Sequence, residues 1–184
     1  VSGFQVHVGA SQVYTSGDVC DVLVAMNPAA LKVNKNRLNS RSVILIDTDS
    51  FTPRDLIKAQ FKTEDAFKEL GLKNQVVEIP ITSMCLESLK EFELDNKSAI
   101  RSKNMMALGL VCWLFNKPLE LVEQLIEQKF KNKNPIIAKS NIKVLQDGYN
   151  YGHNVHATVA TYAIEPATDL GKGLYMDING NKAT

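Results

Sequence analysis

Three stretches of this chain are apolar almost without interruption: CDVLVAM (residues 20–26), SVILIDTD (42–49) and QVVEIPI (75–81). A strand with one face in water alternates apolar and polar residues. A strand that does not alternate has both faces covered, and helices on both sides of a parallel sheet are the usual way to cover them. Helix-like segments lie between the runs. Pro28 opens one that extends to Val33, and Thr52-Pro53 opens TPRDLIKAQF, with proline in a first turn where a missing N–H costs nothing. Thr63-Glu64 starts TEDAFKELG, which stops at Gly71 as a natural cap. Strands alternating with helices predict an α/β fold, three-layer α/β/α with a mostly parallel sheet.

Two additions are expected at the ends. In GFQVHVGASQVYT (3–15), Phe4, Val6 and Val8 alternate with Gln5 and His7 around Gly9-Ala10-Ser11, which predicts an N-terminal β-hairpin. After Ile81 the pattern is helical. One helix is expected over 96–116. A second, PLELVEQLIEQKF, puts Leu119, Val122, Leu125, Ile126 and Phe130 on one face. A third, NPIIAKSNIKVLQDGYNYG, does so with Ile137, Val144, Leu145 and Gly148.

Charge narrows the function. With 21 basic and 20 acidic residues the net charge is +1, so neither nucleic acid nor an anionic membrane is an expected partner. The basic cluster KFKNK (129–133) reads as a solvated helix end. The longest apolar run, MMALGLVCWLF, is about half of the roughly 20 residues a membrane span needs, and reads as a buried helix. Cys20, Cys85 and Cys112 lie far apart with no Cys-x-x-Cys, against a zinc or iron–sulfur site and for a reducing, cytoplasmic setting. The chain starts with Val at a strand-like run, and it ends in DINGNKAT, which reads as the approach to a helix. A fragment of a longer protein is therefore expected.

Ligands of open α/β sheets sit at the carboxyl ends of the strands. Two such ends stand out. Asn27, before Pro28, either presents its amide to a ligand or caps the helix that Pro28 begins, and the cap is favoured. Asp47 and Asp49 either hold magnesium or provide loop polarity and caps; no Gly-x-x-x-x-Gly-Lys loop precedes them, so the second is favoured. Gly171-Lys172-Gly173 reads as a turn. His153 and His156 have a spacing that can hold a metal on a helix, but nothing acidic or thiolate flanks them closely and their segment reads as loop. His7 is the remaining histidine. Cys85 follows a strand; a structural cysteine is favoured over a reactive thiol. Arg101, Lys103 and Asn104 at the start of an apolar helix either bind phosphate or form a solvated first turn, and the latter is favoured. No complete catalytic apparatus is present, which favours a module of a larger assembly.

The string GFQVHVGASQVYTSGDVCDVLVAMNPAAL resembles the gamma domain of the 2-oxoacid:ferredoxin oxidoreductases, where a strand of the D-V-L-V-A-x-N-P type leads into a helix. SVILIDTD matches the next strand. NMMALG resembles the family's Asn-x-x-x-x-Gly helix, NIKVLQDGY its closing helix with Gly148-Tyr149, and GLYMDINGNKAT the junction into the alpha domain. The resemblance implies a subunit of the 2-oxoglutarate type with gamma and alpha fused. Residues 1–164 would be a gamma domain without its first strand and glycine-rich turn, and 165–184 a linker into the alpha domain. The complete enzyme would use thiamine diphosphate, Mg2+, [4Fe-4S] and coenzyme A. Its partners would be that alpha domain, a beta subunit and ferredoxin. No cofactor, catalytic residue or metal ligand is expected within this stretch, which alone would be inactive. Where a gamma domain borders the coenzyme A path, the resemblance points to Asn27, Pro28, Arg101 and Lys103. The alternative is a free-standing α/β small-molecule binding or docking module without catalysis.

Overall fold

A computed structural model of the chain describes residues 3–130, 135–155, 161–168 and 171. Strands β1 (Cys20–Ala25), β2 (Leu38–Asp47) and β3 (Gln75–Ile79) form a parallel sheet in the order β1-β2-β3. Val24 lies opposite Leu45, and Leu45 opposite Val77. Helix α1 (Pro28–Asn34) connects β1 to β2; α2 (Pro53–Lys58) and α3 (Ala66–Leu70) connect β2 to β3. Five helices follow: α4 (Ile81–Ser88), α5 (Asn96–Arg101), α6 (Lys103–Leu114), α7 (Glu120–Phe130) and α8 (Pro135–Val155).

The uninterrupted apolar runs are explained by the layers. Val43 and Leu45 of β2 face one core with Val77, Ile79, Cys85, Met106, Leu110, Trp113 and Val144. Ile44 and Ile46 face the other, with Leu31, Leu56, Phe61 and Ala66. Residues 43–46 of β2 thus serve the two helix layers alternately, and all four are apolar. The expected α/β/α sandwich with a parallel sheet and extra C-terminal helices is what forms.

The N-terminal hairpin does not form. No residue between Gly3 and Val19 is in a strand. The two arms do face each other, but side chains bridge them: the Gln5 amide donates to the Ser16 and Gly17 carbonyls, and His7 Nδ1 bonds the Thr15 carbonyl at 2.7 Å. The physical reason is the lack of a covering layer. Phe4 is 94% exposed, and Val6 and Val8 are also in water, so the apolar alternation has no core to face.

Three helical expectations need adjustment. The helix over 96–116 is two helices, broken at Ser102; Asp95 caps α5 by accepting from the Lys97 and Ser98 N–H groups. On α7 only Ile126 is buried, while Leu125 and Leu121 point to solvent. The segment at His153, read as loop, is the last turn of α8, where the His153 ring packs edge-on against Tyr149. His156, Lys172, Gly173, residues 131–133 and the tail 173–184 lie outside the described residues. Among the described residues no helix is long and apolar enough to cross a membrane.

α6 is buried over more than half of its circumference, through Met106, Gly109, Leu110, Cys112, Trp113 and Leu114. It can be, because α8 approaches it closely. A Cβ on Gly109 would lie 2.1 Å from the Leu145 carbonyl oxygen; one on Gly148 would lie 2.3 Å from that of Met106. These two glycines let the helix backbones touch, and Gly152 makes room for the Trp113 ring in the same way.

Candidate functional site

A groove of about 1120 Å³ runs along the open edge of β1. At the carboxyl end of the strand it is lined by Met26, Asn27 and Pro28, with Asn104 and Ala107 of α6 opposite. Its other end is lined by Cys20, Arg37 and Gln5, where the Arg37 guanidinium hydrogen-bonds the Gln5 side-chain oxygen. The groove is large enough for a cofactor-sized ligand or for one extended segment of chain.

Asn27 is exposed and caps α1: its side-chain oxygen accepts from the Ala30 N–H at 2.9 Å. Pro28, next to it, is buried as the first residue of the helix. The favoured cap is therefore formed, and the amide nitrogen of Asn27 is not used in it. Of the two cations singled out, Arg101 is exposed at the end of α5, where its charge helps hold the Asp95 carboxyl low, after the Ser98 hydroxyl and backbone bonds. Lys103, the first residue of α6, is half-buried and pairs with Asp47, its ammonium 3.6 Å from the carboxylate. The groove thus joins Asn27 and Pro28 with Asn104, next to Lys103 in sequence; Arg101 and Lys103 are not among its lining residues.

Asp47 and Asp49 serve the N-terminus of α4, which has Pro80 at its cap and no side-chain cap of its own. Asp47 is fully buried at the end of β2 and accepts from the Ser50 and Thr82 hydroxyls at 2.8 and 2.7 Å and from the Thr82 N–H. Asp49 accepts from the Ser83 N–H and hydroxyl at 2.6 and 2.9 Å. The first turn of α4, a place where open α/β sheets bind phosphate, is filled by the protein's own carboxylates. The favoured capping role of the two aspartates is thus formed; the sequence did not show which helix they serve, because their partners lie 35 and 34 residues away. Among the described residues no three His, Cys, Asp or Glu side chains are grouped to hold a metal ion.

Cys85 lies in the core with its thiol 3.4 Å from the Ala99 carbonyl, and burial pushes its pKa up to about 11. Because the folded value exceeds that of an unfolded thiol, Cys85 favours the fold below about pH 9 and loses that contribution as pH rises toward 11. Cys20 is half-buried on the groove, also raised, chiefly by burial. Iodoacetamide at pH 8 is therefore expected to label Cys20 well before Cys85 or the buried Cys112, read by peptide mass spectrometry. Faster labelling of Cys85 would contradict its structural role.

Comparison with known proteins places these features. The profile of the pyruvate ferredoxin/flavodoxin oxidoreductase family matches residues 1–151. Over 184 residues the chain is 40% identical to the 2-oxoglutarate oxidoreductase subunit KorA of Mycobacterium tuberculosis (strain ATCC 25618 / H37Rv), and it spans 28% of that protein's length. A solved 2-oxoglutarate:ferredoxin oxidoreductase from Magnetococcus marinus, with 2-oxoglutarate, coenzyme A and succinyl-CoA bound, has the same fold at TM-score 0.60. That match is 21% identical and covers 86% of this chain and 24% of that one.

Proposed function

The chain belongs to the pyruvate ferredoxin/flavodoxin oxidoreductase family, and on that premise we propose that it is the gamma domain of a 2-oxoglutarate:ferredoxin oxidoreductase subunit. The observation that carries the reading is 40% identity along the whole chain to a 2-oxoglutarate oxidoreductase subunit of which the chain spans 28%. The complete enzyme would decarboxylate 2-oxoglutarate oxidatively in the cytoplasm, pass the electrons to ferredoxin and transfer the acyl group to coenzyme A. Residues 1–164 would be the gamma domain and 165–184 the linker into an alpha domain, with a beta subunit as further partner. The groove along β1 supports the domain reading. It exposes the edge of a strand whose side chains Val22, Leu23 and Val24 are apolar on both faces, the environment of an interior strand. A strand preceding residue 1 would fit there.

The described residues do not fit the other cofactors. Cys20, Cys85 and Cys112 sit on β1, α4 and α6, with the latter two buried, and cannot hold an iron–sulfur cluster. Asp47 and Asp49 are occupied with α4, and among the described residues no group of three His, Cys, Asp or Glu side chains could hold the Mg2+ of thiamine diphosphate. Coenzyme A is the group we propose for the groove. The Asn27 and Asn104 amides at the corner would recognise its amide-bearing arm; Arg101 and Lys103, outside the lining and the latter paired with Asp47, are the candidates for its phosphates.

The test is the full-length protein with its beta partner, supplied with thiamine diphosphate and coenzyme A, and assayed by viologen reduction with 2-oxoglutarate and with pyruvate. Coenzyme A-dependent reduction with 2-oxoglutarate is expected; no reduction with any 2-oxoacid from a cofactor-loaded complex overturns the reading. Asn27 separates capping from recognition. Asn27→Ala should lower stability by about 1 kcal/mol through the lost cap, measured by urea unfolding. Asn27→Ser keeps a capping oxygen and removes the amide. A raised coenzyme A Michaelis constant with unchanged stability is expected for it, and an unchanged constant removes Asn27 from the site. Arg101→Glu, at an exposed position, tests the phosphate contact in the same way.

A further inference from the structure

After α8 the chain comes back to the sheet. Thr161, Ala163 and Glu165 are exposed while Tyr162 and Ile164 are half-buried, the alternation of an extended segment laid on a surface. Tyr162 makes three contacts there. Its N–H donates to the Leu114 carbonyl at 2.7 Å, at the end of α6. Its ring stacks on Phe115 with centroids 5.0 Å apart. Its hydroxyl donates to the Asp21 carbonyl at 3.3 Å, at the start of β1. The preceding carbonyl, of Cys20, accepts from the Ser42 hydroxyl of β2. The register of β1 against β2 shifts between Cys20 and Val22, so Asp21 sits at an irregular start of the strand, and its carbonyl accepts from Tyr162. One residue thus fills an aromatic contact with its ring, satisfies a helix-end carbonyl with its backbone N–H and reaches a carbonyl of β1 with its hydroxyl.

We infer that Tyr162 is the anchor of an intramolecular docking site, formed by Phe115 and the Leu114 and Asp21 carbonyls, whose partner is the chain's own C-terminal segment. The site fixes where the polypeptide leaves the domain. The exit lies at the amino end of the sheet, while the Asn27 corner lies at the carboxyl end, about 20 Å away for a strand of this length. Resting on the reading that an alpha domain follows, the anchor would set the orientation of that domain, with segment 161–168 as a docked strap.

The experiment uses the full-length gene product and needs no enzymatic activity, so its outcome is separate from that of the viologen assay. Hydrogen exchange is followed on peptides spanning 161–168 and 18–26, for the wild type, Tyr162→Ala and Tyr162→Phe. In the wild type the Tyr162 amide is expected to be protected, and Tyr162→Ala should speed exchange in both peptides about tenfold. Tyr162→Phe keeps the ring and the amide bond, so only the 18–26 peptide should respond. Small-angle scattering of the same variants reads the orientation: Tyr162→Ala should broaden the distance distribution. A wild-type 161–168 peptide that exchanges at the unprotected rate overturns the anchor. An unchanged scattering profile in Tyr162→Ala, with protection lost, overturns its orienting role.

Discussion

Gly148→Ala is expected to destabilise the chain by about 3 kcal/mol and to lower its thermal midpoint by about 10 °C, an over-packing cost at the upper end of the usual range. The sign is informative, because the competing effect is opposite. In an open helix, glycine to alanine stabilises by about 1 kcal/mol through the lower conformational entropy of the unfolded chain. Here the new methyl would stand 2.3 Å from the Met106 carbonyl oxygen and 3.1 Å from its carbon and from its sulfur. The sulfur belongs to a flexible side chain and can retreat; the carbonyl is held in α6 and cannot. Met106→Ala should therefore fail to rescue Gly148→Ala. Gly109→Ala should behave alike, since its methyl would meet the Leu145 carbonyl from the other side of the same crossing. Gly71→Ala is the contrast: no atom lies within 4 Å, and the cost there, about 1 kcal/mol, comes only from its φ of +68°. Thermal and urea unfolding measure all three. If Gly148→Ala is stabilising, the helices do not cross at backbone contact.

The sheet and its two helix layers were legible because their signals are local. An uninterrupted apolar run such as 43–46 has only one economical environment, and Asn27-Pro28 carries its own cap and first turn. What was not legible depends on partners far along the chain. The alternation of Phe4, Val6 and Val8 matches a hairpin, but a hairpin needs a face to cover, and nothing local shows that none is within reach. Gly109 and Gly148 were visible as parts of a family-like pattern, yet their purpose exists only once α6 and α8 are placed against each other. The same limit applied at the candidate site. Lys103 read as a solvated cation because its anion, Asp47, lies far along the chain at the end of β2, and the two are brought together only by the packing of α6 on the sheet. The carboxyl end of β1, where the groove opens, was identified from strand topology alone; its far wall, with Asn104 and Ala107, was not.

Asp47→Ala is the second large effect, expected at about 3 kcal/mol of lost stability. The carboxylate is fully buried and serves four donors: the Ser50 hydroxyl, the Thr82 hydroxyl and N–H, and the Lys103 ammonium. Its removal leaves the first turn of α4 without an acceptor for Thr82 and leaves a half-buried ammonium unpaired. Lys103 retains 24% side-chain exposure, so water can reach it, and the cost falls at the lower end of that for breaking a buried pair. Lys103→Met alone should cost less, about 1 kcal/mol, because Asp47 keeps its three hydrogen bonds. In the double variant the unpaired ammonium is gone, so the combined loss should be smaller than the sum by about 1 kcal/mol, read from a double-mutant cycle in urea. Asp49→Ala, at a less buried carboxylate that bonds Ser83, should cost about 1 kcal/mol and show no coupling to Lys103. Strict additivity of Asp47→Ala and Lys103→Met would mean that the pair is not an energetic unit. Lys103 would then be energetically independent of Asp47, which would strengthen its candidacy as a phosphate contact.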